Sequence, residues 1–444
     1  ATSDEQIANY AGSASVAVSG AAVGLSVSYN ELTGSTTATI DGDATSISAS
    51  GNGEELAVKD VVSDSAILDN FVDEETFEAQ DTLGNDRIEN KYNGVVVSAS
   101  STHAIKSFLV NGGVAGEGAA VTGTVNVNMI DGSTKATVNG ADINKNIVNA
   151  GDVNVISHDY TNSAGLVGSA SVAGIGAGVG LGSDTNTVSR KVTAEVVGKT
   201  DSDGNAASVI NAGAFNVEAD AQQGISSLTI GLGAAGIAGV SNATSVTLLD
   251  GKTTAKVAGV NITADSVDVL AKHGSRLNTL GAVLGAGGAA GVGIGVSVLN
   301  ENSETAAEIT NSNITINDGT QENGDVNINA DNDTKVNYQL YSTGGGLAGV
   351  AGAIGVSNVN SKVNTTVTGT AIGSETTGQA NDINIGAENN INFTNNSGSA
   401  AGGGVGVGVG VAVNTIDSQV NTSVNYSELN AVKDINVTAK ENRT

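Results

Sequence analysis

The stretch GGGVGVGVGVAVN, residues 402–414, places valine at every second position from 405 onward and a small residue between each pair. Strict two-residue alternation is typical of a β-strand, because successive side chains of a strand point to opposite faces. The valines would form one face, and the glycines would leave the other face open to close approach by a second backbone layer. Flexible linkers combine glycine with serine and lack this alternation, so we predict a strand here.

This strand belongs to an internal repeat. A short strand with apolar residues at alternate positions recurs seven times, and its copies start 58, 62, 52, 59, 57 and 52 residues apart. A second strand, typified by TATI, recurs in the same order. The first strand starts at Val95, Val153, Phe215, Val267, Val326, Ile383 and Ile435, and the second ends at Ile40, Val138, Val196, Val257, Ile309, Val367 and Val424.

The spacing of these two strands separates scaffold from loop. From the first strand forward to the next copy of the second strand, the distance is nearly constant at 41 to 43 residues. From the second strand to the following first strand, it varies between 10 and 55 residues. Connections vary in length where they run over a surface. We therefore predict loops aligned along one edge, the largest being an acidic insertion at residues 41–94 within the first repeat.

A single repeat cannot bury its own apolar face, whereas a neighbour with the same pattern can cover it. The sequence therefore predicts one all-β domain over residues 1–444, a parallel β-helix of about seven stacked 52–62-residue repeats. Like side chains of successive copies would then form ladders. Each repeat would hold three or four strands, in one large coil or two small ones. A seven-bladed propeller is the alternative fold, although its usual aromatic signatures are missing.

Composition excludes several classes of function. The formal net charge is −28, from 46 acidic and 18 basic residues, so nucleic acid and anionic lipid would be repelled. Cysteine and proline are both absent. The first excludes disulfides and thiolate metal sites, and the second favours long ladders in which every N–H is needed. The uncharged residues 279–299 allow a membrane segment as an alternative, but we predict no span because glycine and alanine contribute little to insertion.

Few residues suggest chemistry. His103, His158 and His273 follow the first strand at different offsets, so we interpret them as surface turn residues rather than metal ligands. DSDGN at residues 201–205 resembles half a calcium loop but lacks the later glutamate, which favours a tight turn. The acidic residues are dispersed rather than gathered in pairs. We predict no catalytic residues, no metal site, no cofactor and no enzymatic activity.

The insertion is the main departure from the repeat. Residues 51–93 hold 12 of the 46 acidic residues beside three basic ones, together with two of the five phenylalanines. One interpretation is a solvated excursion with a short helix packed on the stack, and the other is a segment that binds a partner. The candidate partner-binding residues are Asp69, Phe71, Asp73, Glu74, Glu75, Phe77 and Glu78.

The repeat style also carries a resemblance. Segments such as GVGIGVSVLNENSETAAEI with GDVNINA, and GVGVGVAVNTIDSQVNTSV with KDINVTA, resemble the passenger regions of Gram-negative autotransporters and of leukotoxin-like filamentous adhesins. The resemblance implies a right-handed β-helix, exported by a bacterium and displayed at the cell surface or outside the cell. It implies adhesion through a protein or glycan receptor on another cell, and it brings no catalytic residue.

Two other functions stay open from the sequence. One is a self-associating extracellular filament, in which end coils or glycine faces pair between molecules. The other is a carbohydrate-active enzyme on the same scaffold, which would require carboxylates clustered in one groove. Because the chain begins at Ala1 without a basic and apolar leader, we expect either a removed signal or an internal fragment.

Overall fold

The computed structural model describes residues 1–60, 88–147, 150–201, 205–317, 324–374 and 378–444. Over these ranges the chain is all-β, without a helix, and its strands are numbered β1–β21 in chain order. Parallel pairing dominates both principal sheets. The sheets nearly close around one interior, so the predicted all-β class and parallel stacking are confirmed.

The strands fall into three groups. The largest sheet contains β1 (Thr2–Asp41), β5 (Gly94–Asn139), β7 (Asp152–Val197), β9 (Ala214–Ala235), β10 (Ala238–Ala258), β12 (Ser266–Gly287), β13 (Ala290–Thr310), β15 (Val326–Gly345), β16 (Ala348–Thr368), β18 (Ile383–Gly402), β19 (Val405–Asn425) and β21 (Ile435–Arg443). A small sheet contains β2 (Ser46–Ile47), β6 (Asp142–Ile143), β8 (Ser208–Asn211), β11 (Val260–Ala264), β14 (Asn313–Ile316), β17 (Ala371–Ile372) and β20 (Glu428–Leu429). The third group is the pair β3 (Leu56–Asp60) and β4 (Ile88–Tyr92).

The register of the large sheet follows the sequence repeat. Val153 pairs with Phe215, and Phe215 pairs with Val267. The same column continues to both sides, so all seven starts of the first strand lie in order across the sheet. The seven ends of the second strand form an equally continuous column, in which Ile40 pairs with Val138. The predicted stacking of like residues is therefore confirmed, and this parallel register is not that of propeller blades.

Each copy contains two long stretches of strand that face one another. In the copy with β12 and β13 we call β12 the first arm and β13 the second arm, and register-matched residues of other copies take the same names. In β5 and β7 one continuous strand supplies both arms, whereas later copies break at a tight turn between them. Tyr338 of a first arm donates a hydrogen bond to the Ser297 carbonyl of a second arm at 3.2 Å, so the arms pack face to face.

The small sheet closes the third side and was not predicted. Its strands lie in the variable connections, where the sequence predicts only loops. Each contributes at least one large aliphatic side chain, at a shared register position, to the core cluster formed with the two repeat strands, because an apolar residue there covers the open end between the arms. These residues are Ile47, Ile143, Ile210, Ile262, Ile314, Ile372 and Leu429.

Polar ladders run along the outer side of the sheets. Asn384 donates to the side-chain oxygen of Asn327, and Asn436 donates to that of Asn384, both at 2.9 Å. On the second arm, Asn360 donates to Asn302 at 3.0 Å. A stacked amide satisfies its neighbour above and below, which is the behaviour of in-register parallel strands.

Candidate interaction surfaces

The insertion leaves the solenoid as an antiparallel ribbon. Its strands β3 and β4 pair from Leu56 with Tyr92 to Asp60 with Ile88, and they form a sheet separate from the two parallel ones. The chain between the two ends of the ribbon comprises residues 61–87. All seven predicted partner-binding residues, from Asp69 to Glu78, fall there and lie outside the described residues. The described part of the insertion is therefore the antiparallel pair that flanks these residues in sequence.

Most glycines of the alternating stretches in the interior copies point inward, between the two arms. A Cβ added to Gly291 would lie 2.0 Å from the Gly345 carbonyl oxygen of the facing arm, and one added to Gly285 would lie 2.0 Å from the Val292 oxygen. Only glycine tolerates such an approach. The predicted close approach of a second backbone layer is confirmed. That layer is a facing arm of the same chain, so the glycine faces of the interior copies are covered, whereas those of residues 405–413 in the last copy are exposed. Both kinds of stretch form strands, so the linker interpretation is wrong.

The valines of the same stretches consequently face outward. Val350 and Ile354 are 42 % and 41 % exposed, although they lie within the sheet. We call the outward side chains of the second arm at four alternate positions the aliphatic patch. The patch comprises every second residue of 23–29, 121–127, 179–185, 240–246, 292–298, 350–356 and 407–413, which pair in register across seven strands.

A polar groove lies beside the patch on the same outer side of the second arm. It encloses about 650 Å³ and is lined by charged and amide side chains of β10, β13, β16 and β19. Lys252 forms an ion pair with Glu304 at 3.0 Å, and Asn302 donates to Asp250 at 2.9 Å. The groove therefore presents positively charged, negatively charged and amide side chains at the surface.

The histidine interpretation is wrong. His103, His158 and His273 lie in β5, β7 and β12, and all are buried. The first arm continues for many residues beyond the repeated motif, so positions expected in turns still lie in the sheet. His273 contacts Thr253 Oγ1 through Nδ1 at 3.1 Å and Ser275 Oγ through Nε2 at 2.9 Å. Burial lowers the pKa of His273 to about 4, which keeps the ring neutral.

A fully buried ion pair lies near these histidines. Arg190 Nε donates to Asp159 Oδ2 at 3.2 Å, and its Nη1 donates to the carbonyl oxygens of Gly34 and Asp131. Ser101 and Thr134 also donate to Asp159 Oδ2. Burial alone would raise the pKa of Asp159. The charge and hydrogen bonds of the adjacent Arg190 guanidinium together outweigh burial and hold this pKa at about 2. The structure thus places a satisfied charge pair inside the arms, which the sequence did not reveal.

Glycines make room for these large polar side chains. A Cβ on Gly132, whose φ is +141°, would lie 2.5 Å from Arg190 Nη1. A Cβ on Gly251 would lie 2.3 Å from His273 Cε1. The two glycines occupy the same register position on either side of Arg190 itself, since Gly132 pairs with Arg190 and Arg190 pairs with Gly251. The large Arg190 side chain is therefore flanked by glycine in both neighbouring copies.

Glu301 is a buried acid whose carboxylate contacts a serine rather than a basic residue. Its Oε1 accepts a hydrogen bond from Ser275 at 3.4 Å, and its side chain is wholly inaccessible. Burial raises the pKa of Glu301 to about 8, against weaker opposing hydrogen bonds from Ser303 and Ser275. The carboxyl group is therefore protonated at neutral pH in the folded chain.

We expect the pKa of Glu301 to make stability fall as pH rises from about 4.5 to 8. In this window the folded chain holds a proton that the unfolded chain has lost, so the free energy of unfolding decreases by about 1.4 kcal/mol per pH unit. Glu301→Gln should remove this contribution and be the more stable variant at pH 8. Denaturant unfolding at several pH values measures the difference, with Glu308→Gln on the outer side of the same strand as the control. Parallel curves for wild type and Glu301→Gln would contradict the assignment.

The outer side of the first arm carries a second charged cluster. Lys272 Nζ contacts Glu218 Oε1 at 2.7 Å, and Asp220 accepts a hydrogen bond from Gln222 at 2.8 Å. Burial raises the pKa of Asp220 to about 6, while the charge of the neighbouring His158 lowers it. His158, Asp220 and Lys272 are register partners, so the cluster is a charge ladder across three strands.

Over the residues that the structure describes, no three histidine or acidic side chains are grouped so as to hold a metal ion. In the DSDGN segment, Asn205 N donates to Asp201 Oδ1 at 2.8 Å and the backbone bonds back from Asp201 to Asn205. These two bonds agree with a turn; residues 202–204 fall outside the described ranges.

The fold and these surfaces define an all-β protein whose parallel sheets nearly close around one interior. No protein-family model, curated protein or solved structure matches the chain. Among the described residues, no helix is long and apolar enough to cross a membrane.

Proposed function

We propose that the chain is a right-handed parallel β-helix of about seven stacked 52–62-residue repeats, and that it acts as a non-enzymatic adhesive scaffold at a bacterial cell surface. The in-register pairing of like residues in successive copies supports the solenoid. Long shared ladders make such a stack stiff, because each strand is bonded to the strand above and below. A stiff body suits a protein that holds a binding segment away from the cell.

The antiparallel ribbon of β3 and β4 supports this proposal. Among the described sheets it is the antiparallel one, and the connection that contains it spans 55 residues, against 10 to 19 in the other copies. The 27-residue sequence between its ends, 61–87, is acidic and contains Phe71 and Phe77. Aromatic side chains within a charged segment are suited to anchor a protein or glycan partner. The receptor contact is therefore assigned to the insertion, and the solenoid presents it.

A ribbon-closure variant tests this assignment. Residues 61–87 are replaced by Asn-Gly, so that Asp60 and Ile88 are joined by a two-residue hairpin turn that suits antiparallel strands. We expect the circular dichroism spectrum to be unchanged and the binding of protein-coated beads to target cells to fall by about tenfold or more.

Two controls make the result specific. Phe71→Ser with Phe77→Ser keeps the length and charge of the insertion and should reproduce most of the loss. Asn278→Asp, which adds a charge on the first arm outside the polar groove and far from the ribbon in sequence, should leave adhesion intact. If the ribbon-closure variant folds and still binds cells as wild type does, the insertion is not the receptor contact.

The polar groove favours binding over hydrolysis. A glycoside hydrolase needs two carboxyl groups facing each other across the substrate. Here Glu304 is ion-paired with Lys252, and Asp250 accepts a hydrogen bond from Asn302. This arrangement supports a non-enzymatic role, and the groove offers amide and hydroxyl groups that could contact a glycan.

A further inference from the structure

The aliphatic patch of the second arm is large and uniform. Of its 28 positions, 21 are valine, isoleucine or leucine, and the other seven are Tyr29, two glycines, two threonines, a serine and an asparagine. None is charged, in a chain whose formal net charge is −28. Soluble monomers rarely expose a continuous apolar area of more than a few hundred Å². The patch therefore requires an explanation beyond ordinary surface composition.

Charge is segregated along the same strands. Further along each second arm, on the C-terminal side of the patch, the outward positions carry charged residues, and the polar groove begins there. These residues are Asp131, Lys191, Asp250 and Glu304. The patch thus occupies the half of the arm nearest the turn, and the charged residues occupy the other half. Both halves are outward positions of the same strands in one sheet, so strand formation alone does not account for this division.

The patch is large enough for a stable interface. Seven strands about 4.8 Å apart, each with four outward positions about 6.6 Å apart, give an area of roughly 900 Å². A standard protein–protein interface buries about 800 Å² on each partner. A β-sheet face of this size and chemistry packs well on another β-sheet face.

We propose that the aliphatic patch is a self-association surface on which a second copy of this chain packs, patch against patch, about a two-fold axis. In a two-fold pair the same patch serves both copies. When the two second arms run antiparallel, each copy's charged half lies beyond the opposite end of the interface, so the acidic regions are kept apart. The glycine faces of the interior copies cannot serve this role, because the facing arm covers them.

A lipid surface is the less favoured occupant. Apolar surfaces that bind membranes are usually rimmed by lysine and arginine, which anionic headgroups attract. This chain has only 18 basic residues against 46 acidic ones, and the charges next to the patch are of both signs. The chemistry of the rim therefore favours a second protein sheet over a bilayer.

Sedimentation of the full chain over a range of concentrations tests the proposal. We expect a reversible monomer–dimer equilibrium for wild type. Ile354→Glu places a charge within the patch of each copy and should weaken dimerisation by roughly 100-fold or more. Asn360→Glu adds the same residue six positions further along the same strand, outside the patch, and should change dimerisation by less than about threefold.

A covalent trap tests the geometry independently. The chain has no cysteine, so a single introduced thiol can be followed without interference. Thr244 lies on the central strand of the patch, close to the proposed two-fold axis. Thr244 of one molecule therefore lies near Thr244 of the other. Thr244→Cys should be cross-linked between copies by a bifunctional thiol reagent whose spacer matches the separation of packed sheets, about 10 Å, and Asp250→Cys on the charged half of that strand should not.

Three outcomes would overturn the proposal. The first is a monomer at every concentration. The second is a dimer that Ile354→Glu does not weaken, which would place the interface elsewhere. The third is a monomer in solution that floats with phosphatidylcholine vesicles, since that result would assign the patch to lipid. Circular dichroism of Ile354→Glu confirms that a loss of dimer is not a loss of fold.

Discussion

Replacing Arg190 by methionine is expected to lower the free energy of local opening at β5 and β7 by about 3–5 kcal/mol. The guanidinium contacts Asp159, Ser101 and Thr134 within a side-chain environment that excludes solvent. Methionine removes these bonds and leaves the Asp159 carboxylate buried without its charge partner. Hydrogen exchange of β5 and β7 amides measures the opening locally, which suits a stacked fold whose copies can open separately.

The pH dependence of the Arg190→Met effect gives a second readout. In wild type, the pKa of Asp159 is about 2, so the pair's contribution is present above about pH 4 and is lost as the pH falls toward 2. Without the guanidinium, burial alone acts on Asp159 and raises its pKa, so protonation relieves the unpaired charge. The cost of the substitution should therefore be smaller at pH 4 than at pH 7.

A double variant separates the lost charge pair from lost packing. Arg190→Met with Asp159→Leu removes both charges, and buried ion pairs replaced by apolar residues often cost little. We expect the double variant to regain most of the stability lost in Arg190→Met. A double variant as unstable as the single one would show that the volume of Arg190, rather than its charge, supports the arms.

The stacking of copies could be predicted from the sequence because it depends on one regularity. The 41 to 43 residues between the two repeat strands fix which residues lie side by side, and the pairing of Val153 with Phe215 follows directly. The small sheet could not be predicted in this way. Its strands are as short as two residues and lie at unequal distances from the repeat strands, although the isoleucine in most copies is a signal that a search of the connections would find.

Which side of each strand faces inward could not be read from alternation alone. A two-residue period defines two faces, and burying the larger apolar side chains is the default expectation. Here the arms approach until only glycine or alanine fits, so Val350 and the other valines of this face point to solvent. The prediction that the histidines lie in surface turns is wrong for a related reason. The repeated motif ends well before the strand does, and the interior beyond it is polar, with His273 and Glu301 both buried.

Gly291→Ala is expected to destabilise β12, β13 and β15 by about 3 kcal/mol. Its Cβ would lie 2.0 Å from the Gly345 oxygen and 2.6 Å from the Gly285 oxygen, so both close atoms belong to the backbone. A side chain could rotate away, whereas a backbone oxygen can move only if the arms separate. Hydrogen exchange of the three strands, compared with wild type, measures the loss.

Gly352→Ala is the matched control and should have the opposite sign. Gly352 lies on the outer side of the adjacent strand β16, and a Cβ there meets only Ile294 carbons at 4.0 Å. Alanine fits this position and reduces the freedom of the unfolded chain, so we expect a gain of about 0.4–1 kcal/mol. Equal effects of the two substitutions would contradict the inward assignment of the glycines.

The expected contrast extends along the column: Gly239, Gly291 and Gly349 pair in register, and a Cβ on each would lie within 2.5 Å of a facing carbonyl oxygen. The same close approach recurs in successive copies. An alanine at Gly291 that pushes the two arms apart should therefore also weaken the packing of the arms in the copies on both sides.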